Sequence, residues 1–68
     1  MAKESNVGLR IRNYRERLDM SVYDLAVKSG IDEKVINAIE KGDYNPTIKL
    51  CIAICKALDR TLDELFWE

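Results

Sequence analysis

Residues 21–41, SVYDLAVKSGIDEKVINAIEK, hold two short amphipathic segments on either side of Gly30. In the first segment Leu25 and Ala26 share one helical face. Ser21 stands at the N-cap position, and Asp24 three residues later suits a capping box. Gly30 supplies the positive φ that ends a helix, and Ile31 is the apolar residue that tucks the turn into a core. Asp32 can cap a second helix, with its side chain taking up backbone N–H groups. Val35, Ile36 and Ile39 form the buried face of that helix, and Gly42 stops it. Two helices about a short glycine turn make a helix-turn-helix, here over about residues 22–41. Glu33, Lys34, Asn37 and Lys41 project outward from its second helix.

The flanking sequence is helical as well. Val7, Ile11, Tyr14 and Leu18 fall at spacings of 4, 3 and 4, one stripe of a helix. Arg10 and Arg17 flank that stripe on one side, Arg15 lies at its other edge, and Arg12 points further away. Residues 1–6 read as a flexible N-terminal tail, which leaves 7–68 as the folded domain. Gly42-Asp43-Tyr44-Asn45-Pro46 is a loop by composition. Thr47 caps a fourth helix reaching about Leu58, with Ile48, Leu50, Cys51, Ile54, Cys55, Ala57 and Leu58 inward. Thr61-Leu62-Asp63-Glu64 is a capping box that opens a short fifth helix with Leu62, Leu65 and Phe66 inward. No segment alternates with period two. The expectation is an all-α chain, a compact bundle of five short helices.

The 68 residues allow one domain, 47% hydrophobic and 34% charged. No apolar run approaches the ~18 residues of a membrane span, and nothing resembles a secretory signal, so a cytoplasmic location is expected. The net charge is −1, from 11 basic and 12 acidic residues. The distribution is uneven: residues 1–20 carry five basic and three acidic groups, residues 43–68 three basic and five acidic. Such a chain can turn one side to a polyanion and the other away. Cys51 and Cys55 on one helix face would place their Cβ atoms about 5–6 Å apart, beyond the ~3.8 Å of a disulfide. With no histidine, a zinc site would need carboxylates or another chain, so buried free thiols are expected and no metal or cofactor. No phosphate-binding glycine loop or nucleophile elbow points to an enzyme, and no small-molecule ligand is evident.

The stretches IRNYRERLDMS, DLAVKSGI, INAIEKGDYNPT and AICKALDRTLDELF together resemble the phage repressor and Cro type of helix-turn-helix regulators, the xenobiotic-response-element family. The resemblance runs from about Val7 to Trp67. It implies a lambda-repressor-like DNA-binding domain, with the third helix in the major groove of double-stranded DNA. Most members regulate transcription and many bind as dimers, and a repressor is the expectation for this chain. The family pairs an arginine of the first helix with a glutamate ending the third; Arg15 and Glu40 match those positions. The pair can tie two helices together, or orient spare Arg15 donors toward a phosphate. Two positions depart from the pattern. The glutamine usual at the start of the second helix is Val22 here, and the third helix opens with Asp32 and Glu33.

Lys34 can reach guanine, Asn37 can pair with adenine, and Glu33 can accept from cytosine N4 or simply be a solvated glutamate in a first helical turn. Lys41 is placed for bases or phosphate. Arg15, Ser21, Tyr44 and Asn45 are the other phosphate candidates. Ile52 falls on the outward side of the fourth helix, and Trp67 is turned about 100° from the inward Phe66. Trp67 either folds back over its own core or, with Ile52 and Phe66, forms the contact of a homodimer on the C-terminal helices, which would imply a palindromic operator. Val22, Glu33 and the acidic net charge keep open an alternative, a protein-interaction or antitoxin-like module on the same fold.

Overall fold

The computed structural model describes residues 6–66. They form five helices in the order α1 (Asn6–Arg17), α2 (Val22–Ser29), α3 (Glu33–Lys41), α4 (Ile48–Leu58) and α5 (Leu62–Phe66), with no strand among the described residues. Each boundary follows from local chemistry. Ser21 Oγ accepts from the Asp24 N–H and the Ser21 N–H donates to Asp24 Oδ2, both at 3.0 Å, a full capping box at α2. Asp32 Oδ1 accepts from the Lys34 N–H at 2.8 Å to start α3, and Thr47 Oγ1 accepts from the Leu50 N–H at 3.2 Å to start α4. Thr61 and Glu64 reciprocate in the same way at α5, at 2.9 and 3.2 Å. Accepting from Thr61 N–H holds the Glu64 carboxyl below its ordinary pKa. Gly30 and Gly42 end α2 and α3 with φ of 75° and 84°. Asp19 and Asp59, at φ 60° and 58°, do the same work after α1 and α4, where no glycine marks the turn.

The core is one cluster: Ile11, Leu25, Ile31, Ile36, Ile39, Ile54, Cys55, Ala57, Leu58 and Leu65, with Val7, Tyr14, Met20, Val22, Ala26, Val35, Leu50, Ala53 and Leu62 packed on it. Helix α1 packs on α3, α4 and α5; α2 packs on α3 and α4. Two positions expected inward are instead exposed. Leu18 lies past the end of α1 at 45% exposure, and Ile48 at 61% is the first residue of α4, so its side chain lies off the end of the core. Cys51 and Cys55 are free and buried, and burial pushes both thiols above their ordinary pKa. No group of potential metal ligands gathers among the described residues, and no described helix is long and apolar enough to cross a membrane.

Helix α1 also holds the short α5 through polar contacts. Arg10 Nη1 donates to the Leu65 carbonyl at 3.0 Å and the Tyr14 hydroxyl donates to the Glu64 carbonyl at 3.1 Å. These take up carbonyls that a helix end would otherwise leave without partners. The Arg60 guanidinium lies over the Tyr14 ring at 4.8 Å.

Candidate nucleic-acid interface

Helix α3 divides cleanly. Ile36 and Ile39 are buried, while Glu33, Lys34, Asn37 and Lys41 are exposed on the opposite side. Positions 33, 37 and 41 follow one another at i, i+4 and so line up along one face. Ser21 before α2 and Tyr44 and Asn45 after α3 are also exposed. The two acids at the start of α3 have separate positions. Asp32 is the N-cap and is bound to its own helix; Glu33 stands on the outward face, in the first turn where the helix dipole favours a carboxylate.

Two contacts fix α3 against α1. Arg15 Nε donates to Glu40 Oε2 at 2.9 Å and Arg15 Nη2 to Glu40 Oε1 at 3.0 Å, a bidentate pair. Arg15 Nη1 donates to the Met20 carbonyl at 2.7 Å, one residue before the α2 N-cap. One guanidinium thus ties together α1, the start of α2 and the end of α3. It is only 8% exposed, and its hydrogen bond to Glu40, the largest cause, raises its pKa further. All three of its nitrogens are engaged, so any phosphate contact falls to the N–H hydrogens left on Nη1 and Nη2. The second contact is Gly8. A Cβ there would collide with the Ile39 carbonyl oxygen and lie 3.1 Å from Glu40 Cα. The two helices approach closely only because this residue has no side chain.

Between α1, α2 and α3 lies a groove of about 270 Å³ lined by Arg12, Arg15, Val22, Asn37, Glu40 and Lys41. Arg12 and Val22 join the site here, although the periodic pattern alone placed Arg12 away from it. Arg12 Nε pairs with Glu16 Oε2 at 3.4 Å, with both side chains 56% exposed. Such an exposed pair is worth little and yields readily to a better anion. At the mouth of α2, Ser21 Oγ already accepts from Asp24, which leaves the hydroxyl hydrogen as its donor to an outside oxygen. The outward Ile52 is 38% exposed, one turn from Ile48 on α4. The Phe66 side chain and Trp67, expected to join Ile52, lie outside the described residues.

A family model described as helix-turn-helix matches residues 11–65. The chain is 34% identical over 58 residues to the uncharacterized HTH-type transcriptional regulator YgzD of Bacillus subtilis (strain 168), spanning 85% of this chain and 88% of that protein. Among solved structures it is similar to the restriction-modification controller protein C.AhdI from Aeromonas hydrophila, with 31% identity and a TM-score of 0.87 over 90% of this chain and 92% of that one. A mutant of the restriction-modification controller protein C.Esp1396I gives 33% identity and a TM-score of 0.84, covering 96% of this chain and 85% of that one.

Proposed function

The chain belongs to the helix-turn-helix family of DNA-binding transcriptional regulators, not of enzymes, and on that premise we propose that it is a sequence-specific repressor that lays α3 in the major groove. The observation that carries the reading is the outward face of α3. Lys34, Asn37 and Lys41 stand exposed on a helix whose other face is locked into the core and whose end is clamped by Arg15. A rigid helix bearing an amide and two cations is what base-edge readout requires. Asn37 reads adenine, Lys34 guanine, and Glu33 accepts from a cytosine amino group. Lys41, Arg12, Ser21, Tyr44 and Asn45 hold phosphates on either side. Occupation of a promoter by the bound domain excludes polymerase sterically. The setting is cytoplasmic.

Base readers and phosphate binders separate by experiment. Asn37→Ala is expected to weaken the preferred site by about 1–3 kcal/mol and relax the preference at one base pair, whereas Lys41→Ala weakens specific and random DNA together. Fluorescence anisotropy on a panel of point-changed duplexes measures both. A uniform loss for Asn37→Ala would assign it to the backbone instead.

Dimerisation belongs to the same proposal. Ile48 and Ile52 leave an apolar strip on the outer face of α4, and a two-fold contact there sets two α3 helices about 34 Å apart, one DNA turn. The operator is then palindromic. Sedimentation is expected to show a dimer for the wild type, and Ile52→Glu is expected to shift it toward monomer. A wild type that stays monomeric at high micromolar concentration, both free and on DNA, contradicts the dimer. A second reading, a protein-interaction or antitoxin-like module, is favoured by Glu33 on the reading face and by the net charge of −1. It is distinguished by absence of DNA binding at low salt.

A further inference from the structure

The groove beside α3 offers a ligand three kinds of surface. Its cations, Arg12 and Lys41, suit phosphates. Its one amide, Asn37, suits a base edge. The third surface is apolar: Val22, the first residue of α2. The remaining polar lining consists of Arg15 and Glu40, which satisfy one another. Among the described residues no buried side-chain nitrogen or oxygen lacks a partner. Val22 is half-buried and packed against the core, and its β-branched side chain has little rotamer freedom. Its methyls are therefore a fixed apolar surface rather than a mobile one.

We propose that Val22 and Asn37 together read one A·T step, with Asn37 on the adenine and Val22 against the 5-methyl group of a thymine on the same groove edge. The proposal rests on the reading that this groove faces DNA. In the major groove adenine shows N7 and the N6 amino group, and thymine shows O4 and its methyl, the one apolar group that any base presents there. An amide set beside an apolar methyl surface complements that pattern. A cytosine turned toward Val22 would lose water from its amino group and gain no partner, which costs free energy. A phosphate oxygen against Val22 would fare worse. Val22 thus adds discrimination at the start of α2.

Exchanging thymine for deoxyuridine removes the methyl and nothing else. In duplexes carrying the selected site, each thymine is replaced singly and affinity is measured for the wild type and for Val22→Ala. The wild type is expected to lose about fourfold at one thymine per half-site, the worth of one buried methyl-sized group. Val22→Ala is expected to bind the thymine and deoxyuridine duplexes equally at that position. The sensitive thymine lies in, or next to, the base pair whose preference Asn37→Ala relaxes. Because the deoxyuridine arm uses unaltered protein, a folding defect in the variant cannot imitate the result; a thermal melt of Val22→Ala covers the other arm. Full wild-type affinity for every deoxyuridine duplex overturns the proposal and leaves the DNA-binding reading intact. So does a fourfold loss that persists in Val22→Ala. No binding to any DNA at low salt overturns both.

Discussion

Arg15→Ala is expected to lower the stability of the domain by about 3–5 kcal/mol. The Glu40 side chain is 8% exposed, and its two oxygens accept from Arg15 Nε and Nη2 at 2.9 and 3.0 Å. Removing the guanidinium leaves a buried carboxylate without its counter-ion and a Met20 carbonyl without its donor. The pair itself need not add net stability, because the attraction between the two ions does little more than offset their desolvation. Breaking it from one side is what costs. A domain of 68 residues holds roughly 3–10 kcal/mol in total, so Arg15→Ala is expected to be largely unfolded at 37 °C. Replacing both partners, Arg15→Met with Glu40→Leu, should recover most of the loss, since no uncompensated charge remains. Urea unfolding followed by circular dichroism measures all three chains. A loss below about 1 kcal/mol for Arg15→Ala would mean that water reaches Glu40 and that the pair behaves like a surface ion pair. The double variant has a further use. If it folds yet binds DNA poorly, Arg15 matters for the orientation of α3 beyond its stability.

The second large effect is expected at Gly8. In an open helix, glycine to alanine is favourable by up to about 1 kcal/mol. Here the added Cβ meets two backbone groups of α3, the Ile39 carbonyl and Glu40 Cα. Backbone cannot swing aside as a side-chain tip can, so α1 must move off α3 as a unit. Overpacking of this kind costs about 1–3 kcal/mol and occasionally more, which exceeds the propensity gain. Set against that gain, the net expectation is a loss of about 1–2 kcal/mol for Gly8→Ala, and more for Gly8→Val, again by urea unfolding. The displacement would also pull Arg15 from Glu40, which makes the Gly8 and Arg15 effects less than additive. An alanine variant as stable as the wild type would show that the helices do not approach so closely.

Gly8 illustrates what the sequence hides. In VGLRI it interrupts a helical stripe and reads only as a weak helix former; its partners lie more than 30 positions away. The Arg10 and Tyr14 contacts to the α5 carbonyls are equally long-range. The elements themselves were legible because their signals are local. Apolar residues recur at helical spacing, and Ser21, Asp32, Thr47 and Thr61 each bind the backbone two or three residues on. Gly30 and Gly42 stop helices through their own backbone conformation. Leu18 and Ile48 misled because hydropathy continues the stripe past the point where packing ends. At the interface, the outward face of α3 follows from the inward one by rotation. The groove does not, since Arg12, Val22 and Lys41 come from three helices whose meeting depends on the whole core.

The most direct test of the central claim is the affinity of the purified protein for DNA selected from a random pool, measured against salt. In the proposed two-fold complex Arg12 and Lys41 of each chain would neutralise about four phosphates, so log affinity is expected to fall against log salt with a slope of roughly −3.6. The selected duplexes should share one palindromic site with half-sites one turn apart. Failure to enrich any sequence, with no retention of DNA at about 50 mM salt, would contradict the assignment of the α3 face to DNA.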